Sequence, residues 1–231
     1  MNRRERPKVL ANFALSADGK VSTRAYSPAN FTSKRDKERL LEIRALGDAL
    51  LVGARTLAKD TMRMTLPRRD LQQQRLERGM AAQPLRVIVS HSGKDLHPDA
   101  RVFQSRGAKR IVFTTSRMPA ANRRALEPLC DLHVAPGRQL DIADVLRVLR
   151  RDYRVRTLVC EGGPTLLRSL VEADALDVLY ITMAPVIFGG KDAPTLLGTR
   201  PDFLPSIVNL SLDSMQVIDG ECYLRYRVIR N

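Results

Sequence analysis

The run V-R-T-L-V-C-E-G-G-P-T, residues 155–165, constrains the fold of this 231-residue chain more than any other stretch. A short apolar strand ends in Glu161, Gly162 and Gly163 turn the backbone, and Pro164 opens a helix over residues 165–171. Proline suits the first helical position, because the N–H it lacks would be unpaired there anyway. Glycines let the backbone come close to a ligand, and a helix start offers unpaired N–H groups with a partial positive charge. This is a pattern for holding phosphate. The same turn also serves as a plain tight connection between strand and helix.

The rest of the chain alternates in the same way. Residues 9–15 read as a strand closed by Asp18-Gly19. Residues 33–46 read as a helix capped by Ser33, with Leu40, Leu41, Ile43 and Leu46 at helical spacing and Gly47 as its stop. Residues 49–52 form a short apolar strand leading into Gly53-Ala54-Arg55-Thr56, a second glycine turn that opens a helix. Gln, Arg and Glu dominate residues 67–84, which read as a solvated, partly helical excursion with freedom to move. Strands follow at 85–90, 110–115 and 132–135, and an amphipathic helix at 142–149 begins near Asp141. Residues 176–184 and 222–229 are further strands, the last alternating like a half-exposed antiparallel edge. Strands alternating with helices predict an α/β fold with a mainly parallel sheet and an antiparallel C-terminal end. The length suits one domain, residues 1–231, and no linker divides it.

Composition narrows the function. No apolar run approaches the roughly 20 residues that span a bilayer, and the N-terminus leads straight into a strand, so the cytoplasm is the expected address and no membrane partner is expected. Cys130, Cys160 and Cys222 lie far apart, the latter two in strand-like runs that predict buried thiols, and His91, His97 and His133 form no ligand pattern; no metal is expected. A net charge of +14 attracts anions, nucleic acid or small phosphates alike. The arginines are nevertheless spread out, aromatic content is only 5%, and no nucleic-acid-binding signature is present. Nucleic acid is therefore the lesser alternative.

Six segments, taken together and in order, carry a resemblance. They are A-L-S-A-D-G-K (14–20), V-G-A-R-T (52–56), D-T-M-R-M-T (60–65), P-L-R-V-I-V (84–89), E-G-G-P-T-L (161–166) and A-P-V-I-F-G-G (184–190). The chain resembles the reductase domain of bacterial riboflavin biosynthesis over about residues 8–190. That family implies a dihydrofolate-reductase-like fold, a central sheet with helices on both faces, and a homodimer. It also implies NADPH as the cofactor, reducing the ribosyl group of a phosphorylated ribosylaminopyrimidine to a ribityl chain. A ribosylamine opens to an imine whose C1 accepts hydride, so the protein mostly holds two partners at reacting distance.

The resemblance also assigns residues. On the cofactor side it places Ala14 beside the nicotinamide, Thr56 and Asp60 in contact with the cofactor, and Gly162, Gly163, Pro164, Thr165 and Leu166 in the phosphate-cradling turn. Thr56 also reads as a helix cap. Arg55 grips the 2′-phosphate of NADPH or is a solvated arginine. On the substrate side, Arg44 meets the phosphate or pairs with a carboxylate at the surface, and Met64 lines the pocket. Glu161 accepts hydrogen bonds from the substrate and aids proton traffic, and Lys20 faces the ribose or is a plain turn lysine. Where the family has S-x-W-I-T, this chain has Pro28-Ala29-Asn30-Phe31-Thr32; where it has D-D/N-P, this chain has Asp60-Thr61-Met62, and the arginine that commonly follows falls at Pro67. These departures touch the substrate side and leave another pterin- or pyrimidine-like heterocycle open. The zinc-deaminase signature often fused ahead of this reductase is absent from the sequence.

Overall fold

Fully apolar runs such as A-L-L-V cannot face water on either side, and a parallel sheet covered on both faces is where they belong. The computed structural model describes residues 4–23, 31–60 and 62–230. In chain order it runs β1 (Lys8–Ser16), α1 (Lys34–Arg44), β2 (Ala49–Gly53), α2 (Ala54–Asp60), α3 (Arg69–Glu77), β3 (Leu85–Val89), α4 (Arg101–Gln104), β4 (Arg110–Thr115), α5 (Ala120–Leu126), β5 (Asp131–Ala135), α6 (Ile142–Arg151), β6 (Thr157–Cys160), α7 (Pro164–Glu172), β7 (Leu176–Ala184), β8 (Leu210–Ile218) and β9 (Glu221–Val228). The Pro28-Ala29-Asn30 and Thr61 departures, and the Asp60 side chain, lie outside the described residues.

One nine-stranded sheet has the order β5-β4-β3-β2-β6-β1-β7-β9-β8. Strands β1 to β7 pair in parallel, and β9 runs antiparallel to both β7 and β8. The chain steps outward from β1 to β5, then returns to insert β6 between β2 and β1. That reversal puts helices on both faces and opens a crevice at the carboxyl ends of the central strands, where open α/β sheets bind ligands.

Two apolar clusters flank the sheet. α6 and α7 cover one face with Ile142, Val145, Leu146, Leu149, Leu166, Leu167 and Leu170. α1, α2, α4 and α5 cover the other with Ile43, Ala54, Leu57, Val102, Phe103 and Leu126. Each fully buried side chain of this kind contributes about 1.5–3 kcal/mol. Asp141 caps α6 by accepting the Ala143 N–H at 2.8 Å, and Ser33 caps α1 through the Asp36 N–H at 3.2 Å.

Two expectations need correction. The last strand is not the edge: β8 lies outside it. β8 escapes a period-two reading because a register shift between Leu212 and Ser214 breaks its alternation. Cys160 is buried, and desolvation pushes its thiol up to about 12, but Cys222 is only half-buried. Residues 67–84 are mostly exposed and carry a helix, as expected, which is pinned to the body by Leu71, packed with Ala45 and Leu66, and by polar groups. Arg75, 1% exposed, donates to the carbonyls of Ala45 (3.1 Å), Gly47 (2.6 Å) and Ala81 (2.8 Å), and Gln83 bonds both the amide and the carbonyl of Leu66.

Replacing Arg75 with Met keeps the side chain's length and strands three carbonyls. We expect a loss of roughly 2–4 kcal/mol in urea unfolding. A loss below about 0.5 kcal/mol would show that the excursion is held by something else.

Candidate active site

A cleft of about 510 Å³ opens at the carboxyl ends of the central strands, within the size range of cofactor pockets. Its lining comes from β1 (Asn12, Phe13, Ala14), the β2–α2 junction (Gly53 to Thr56), the turns after β3 and β4 (Ser90 to Ser92, Arg117) and the segment after β6 (Glu161 to Leu166). From β1 to β4 it crosses four inter-strand spacings of about 4.8 Å, roughly 19 Å in all. That is a groove for something long and thin.

At its centre the two glycine turns meet. Gly53 N–H donates to the Gly162 carbonyl at 2.9 Å, which locks the end of β2 to the turn after β6. Gly162 has φ +107°, a conformation L side chains rarely adopt, and its peptide bond to Gly163 is cis. A Cβ on Gly163 would come within 2.6 Å of Thr56 Oγ1, so any larger residue there displaces Thr56 or the turn. Thr56 lies in the first turn of α2. Pro164 stands in the first turn of α7, whose N-terminal end lines the cleft. The cradle the sequence anticipates is therefore assembled from two chain segments.

Glu161 begins this turn and is held by α1. Arg44 Nε and Nη2 donate to its two carboxylate oxygens at 2.6 and 2.7 Å, and Arg44 Nη1 donates to the Thr65 carbonyl at 2.8 Å. The side chains are 10% and 3% exposed, so the pair is shielded from solvent. Burial pulls the Arg44 guanidinium down, but the charge and hydrogen bonds of Glu161 outweigh it and leave its pKa raised. Such a fork-to-carboxylate pair fixes orientation as well as charge. Sequence reasoning puts Arg44 on a substrate phosphate; three of its donors are on protein acceptors, and two N–H remain.

The other expected residues divide. Ala14, Arg55, Thr56, Glu161, Gly162, Gly163, Pro164, Thr165 and Leu166 are brought together in the cleft. Met64 is not: it is 1% exposed, with φ +52°, and belongs to the core cluster of Ile43, Leu50 and Val52. Lys20 is not among the lining residues either; it forms a β-bridge with Thr195. Asp60 ends α2. Asn12, His91 and Arg117 are lining residues that sequence reasoning missed. For Asn12 a signal existed, a lone polar residue in an apolar strand; for the others none did, because they follow different strands.

Asp18 ties two distant segments together. Its carboxylate accepts from Ser16 Oγ at 2.6 Å and from the amides of Phe188 (3.1 Å) and Gly189 (2.8 Å). Two backbone bonds, Ala17 N to Val186 O and Val21 N to Pro194 O, zip the same segments together. The A-D-G-K and A-P-V-I-F-G-G blocks are thus one structural unit.

The comparisons with known proteins agree with this architecture. The model of the RibD C-terminal domain matches residues 7–224. The chain belongs to that family. A 2,5-diamino-6-ribosylamino-4(3H)-pyrimidinone 5′-phosphate reductase of Archaeoglobus fulgidus is 30% identical over 191 residues, covering 83% of this chain and 86% of the relative. A pyrimidine reductase-like protein of Corynebacterium diphtheriae superposes with a TM-score of 0.86 at 22% identity, covering 97% of this chain and 93% of that one. A dihydrofolate reductase of Enterococcus faecalis superposes at 0.50 with 15% identity, covering 96% and 97%. The fold is dihydrofolate-reductase-like.

The Asp18 tie has a pH signature. The Ser16 hydroxyl first, then the amides of Phe188 and Gly189, hold its carboxyl at about 2 against an ordinary 3.8. A carboxyl depressed by folding adds stability above its unfolded value, and that stability is lost as pH falls through its folded value. We expect the stability gap between wild type and Asp18→Asn to be constant above about pH 5 and to close between about pH 4 and 2. A gap that persists unchanged at the acid end would disprove the tie.

Proposed function

We propose that this RibD-family chain is an NADPH-dependent reductase that converts the ribosyl group of a phosphorylated ribosylaminopyrimidine to a ribityl group. The observation that carries the reading is Glu161, clamped by Arg44 at the head of the Gly162–Gly163–Pro164 turn in a cleft long enough for a dinucleotide. The family and the name of the Archaeoglobus relative support the substrate class.

The residues present fit the cofactor. A turn too tight for a Cβ, followed by the α7 N-terminus, suits the close approach of a pyrophosphate. Arg55 and Arg117 are exposed cations along the cleft, suited to the extra phosphate that separates NADPH from NADH. Thr56, Asp60 and the residues from Gly162 to Leu166 are its proposed contacts, with Ala14 at the nicotinamide end. When bound, NADPH supplies the hydride accepted at C1 of the opened sugar. Phe13, Leu140, Ile142 and Val145 form an apolar wall that keeps water from the groove. Glu161 keeps lone pairs on both oxygens after its two bonds to Arg44, and these accept a substrate amine or hydroxyl. Arg44 positions Glu161 and turns its two remaining N–H toward the phosphate. Lys20 and Met64 act from outside the cleft lining.

We also propose a homodimer built on β8. Cross-strand pairing sets Leu210, Leu212, Met215 and Val217 opposite Val228, Tyr226, Leu224 and Cys222. Because Asp213 is the extra residue at the register shift, all four apolar side chains of β8 stay on one face. Met215 and Val217 are still 61% and 63% exposed. An apolar row on an edge strand is self-complementary about a two-fold axis.

Three experiments test these readings. NADPH, and not NADH at equal concentration, should raise the melting temperature and be oxidised on adding the ribosylaminopyrimidine phosphate, with dihydropterin inert. Glu161→Gln should cut turnover by roughly 100-fold or more while NADPH affinity holds within about threefold. Because that change leaves Arg44 buried and unpaired, Arg44→Met/Glu161→Gln serves as a folded control that stays inactive. Wild-type turnover in Glu161→Gln would remove Glu161 from the chemistry. For the dimer, Met215→Asp/Val217→Asp should run as a monomer by light scattering; an unchanged mass would place the interface elsewhere.

A further inference from the structure

A second recess, of about 280 Å³, lies apart from the cleft and shares no lining residue with it. It is smaller than the pockets that hold cofactors, a size for an ion or a small ester. Arg35, Arg39 and Glu42 line it from α1, and Ser214, Gln216 and Tyr223 line it from β8 and β9. The three α1 residues follow the i, i+4, i+7 spacing of one helix stripe. Ser214 and Gln216 pair with Arg225 and Tyr223, on the face of β8 opposite the apolar row, so a dimer built on that row leaves the recess open. Here a helix overlooks a sheet through polar groups, where apolar ones ordinarily meet.

One charge in the recess is left unanswered. Arg35 Nη1 donates to Glu42 at 2.8 Å, and that hydrogen bond raises its pKa. Arg39, one turn on, has only neutral acceptors. Its Nη1 reaches the Ile181 carbonyl and Thr182 Oγ1 at 3.4 Å each, and its Nη2 reaches the Leu224 carbonyl at 3.2 Å, the long end for such bonds. Among the described residues no carboxylate forms an ion pair with Arg39. Its guanidinium lies 4.9 Å from the Tyr223 ring and 5.6 Å from the Tyr180 ring, and burial pulls its pKa down. Arg225 stands over the same Tyr180 ring at 6.0 Å, and its Nε is buried without a partner. The neighbouring carboxylates are already engaged: Glu221 by Ser33 and Tyr223, Asp213 by Arg225 and Arg227. A half-buried cation with no counter-ion is costly, and two ring faces offset only part of that cost.

We infer that the recess between α1 and the β8–β9 hairpin is a binding site for a small phosphate-type oxyanion, free phosphate or the phosphate of a small ester, held by Arg39 with Ser214 and Gln216. A guanidinium offers parallel N–H groups to such an ion, and the Arg39 Nε makes no bond among the described residues. The Ser214 hydroxyl and Gln216 amide add donors from the opposite wall. Donors on several sides of one space suit a tetrahedral ion better than a planar carboxylate. The site is independent of the reductase reading, and its test does not use the cofactor.

Equilibrium dialysis of the full chain against labelled inorganic phosphate, at constant ionic strength, counts the bound ions. Arg39→Gln and Gln216→Glu should each hold one phosphate fewer per chain than wild type. Gln216→Glu keeps the side chain's size and supplies the missing carboxylate, so without ligand it should melt above wild type. Because Gln216 is exposed, this variant folds even where loss of Arg39 unsettles α1. An equal count in wild type and Gln216→Glu overturns the inference, as does a wild type that binds no phosphate at millimolar concentration. A melting temperature of Gln216→Glu below wild type overturns it too, since Arg39 would then need no counter-ion. Unlabelled ribose 5-phosphate that displaces the label at lower concentration than unlabelled phosphate assigns the site to an ester; displacement only at equal or higher concentration assigns it to the free ion.

Discussion

The ion pair between Arg44 and Glu161 is the interaction on which the rest of the site depends. It joins α1, on one face of the sheet, to the residue at which β6 ends and the glycine turn begins. Taking two charges out of water costs several kcal/mol per ion, and only near-ideal geometry with further bonds recovers it. Here both carboxylate oxygens and three guanidinium donors are engaged, so the pair specifies a position more than it adds stability. The glycine turn that follows inherits that position, and Gly53 ties it to β2.

Arginine as an internal fastener recurs through the molecule. Arg6, Arg44, Arg75, Arg86 and Arg168 are all buried. Arg86 collects the carbonyls of Val102, Ser105 and Arg106, and desolvation lowers its guanidinium to about 10. Arg168 pairs with Glu172 within α7 and ties that helix to Asp202 and the Phe203 carbonyl. A planar fork that stays charged satisfies several carbonyls at once, which lysine cannot do.

Legibility followed the range of the interaction. Helix starts at Ser33 and Pro164, the glycine turns and the apolar strands are local, and they were read within a residue or two. Met64 shows where locality fails, since its neighbourhood in the chain resembles a pocket wall while its φ and burial are set by the α1 cluster packed over it. The edge strand β8 was invisible because one bulge shifts its alternation and its apolar face is left uncovered.

By itself the chain's order of residues determined the α/β alternation, the two glycine turns and the presence of a carboxylate at the strand end, because each follows from propensities within a few positions. Only the tertiary structure decided which arginine answers that carboxylate and which strand closes the sheet. Those facts depend on contacts between segments far apart in the chain, which local preference does not encode.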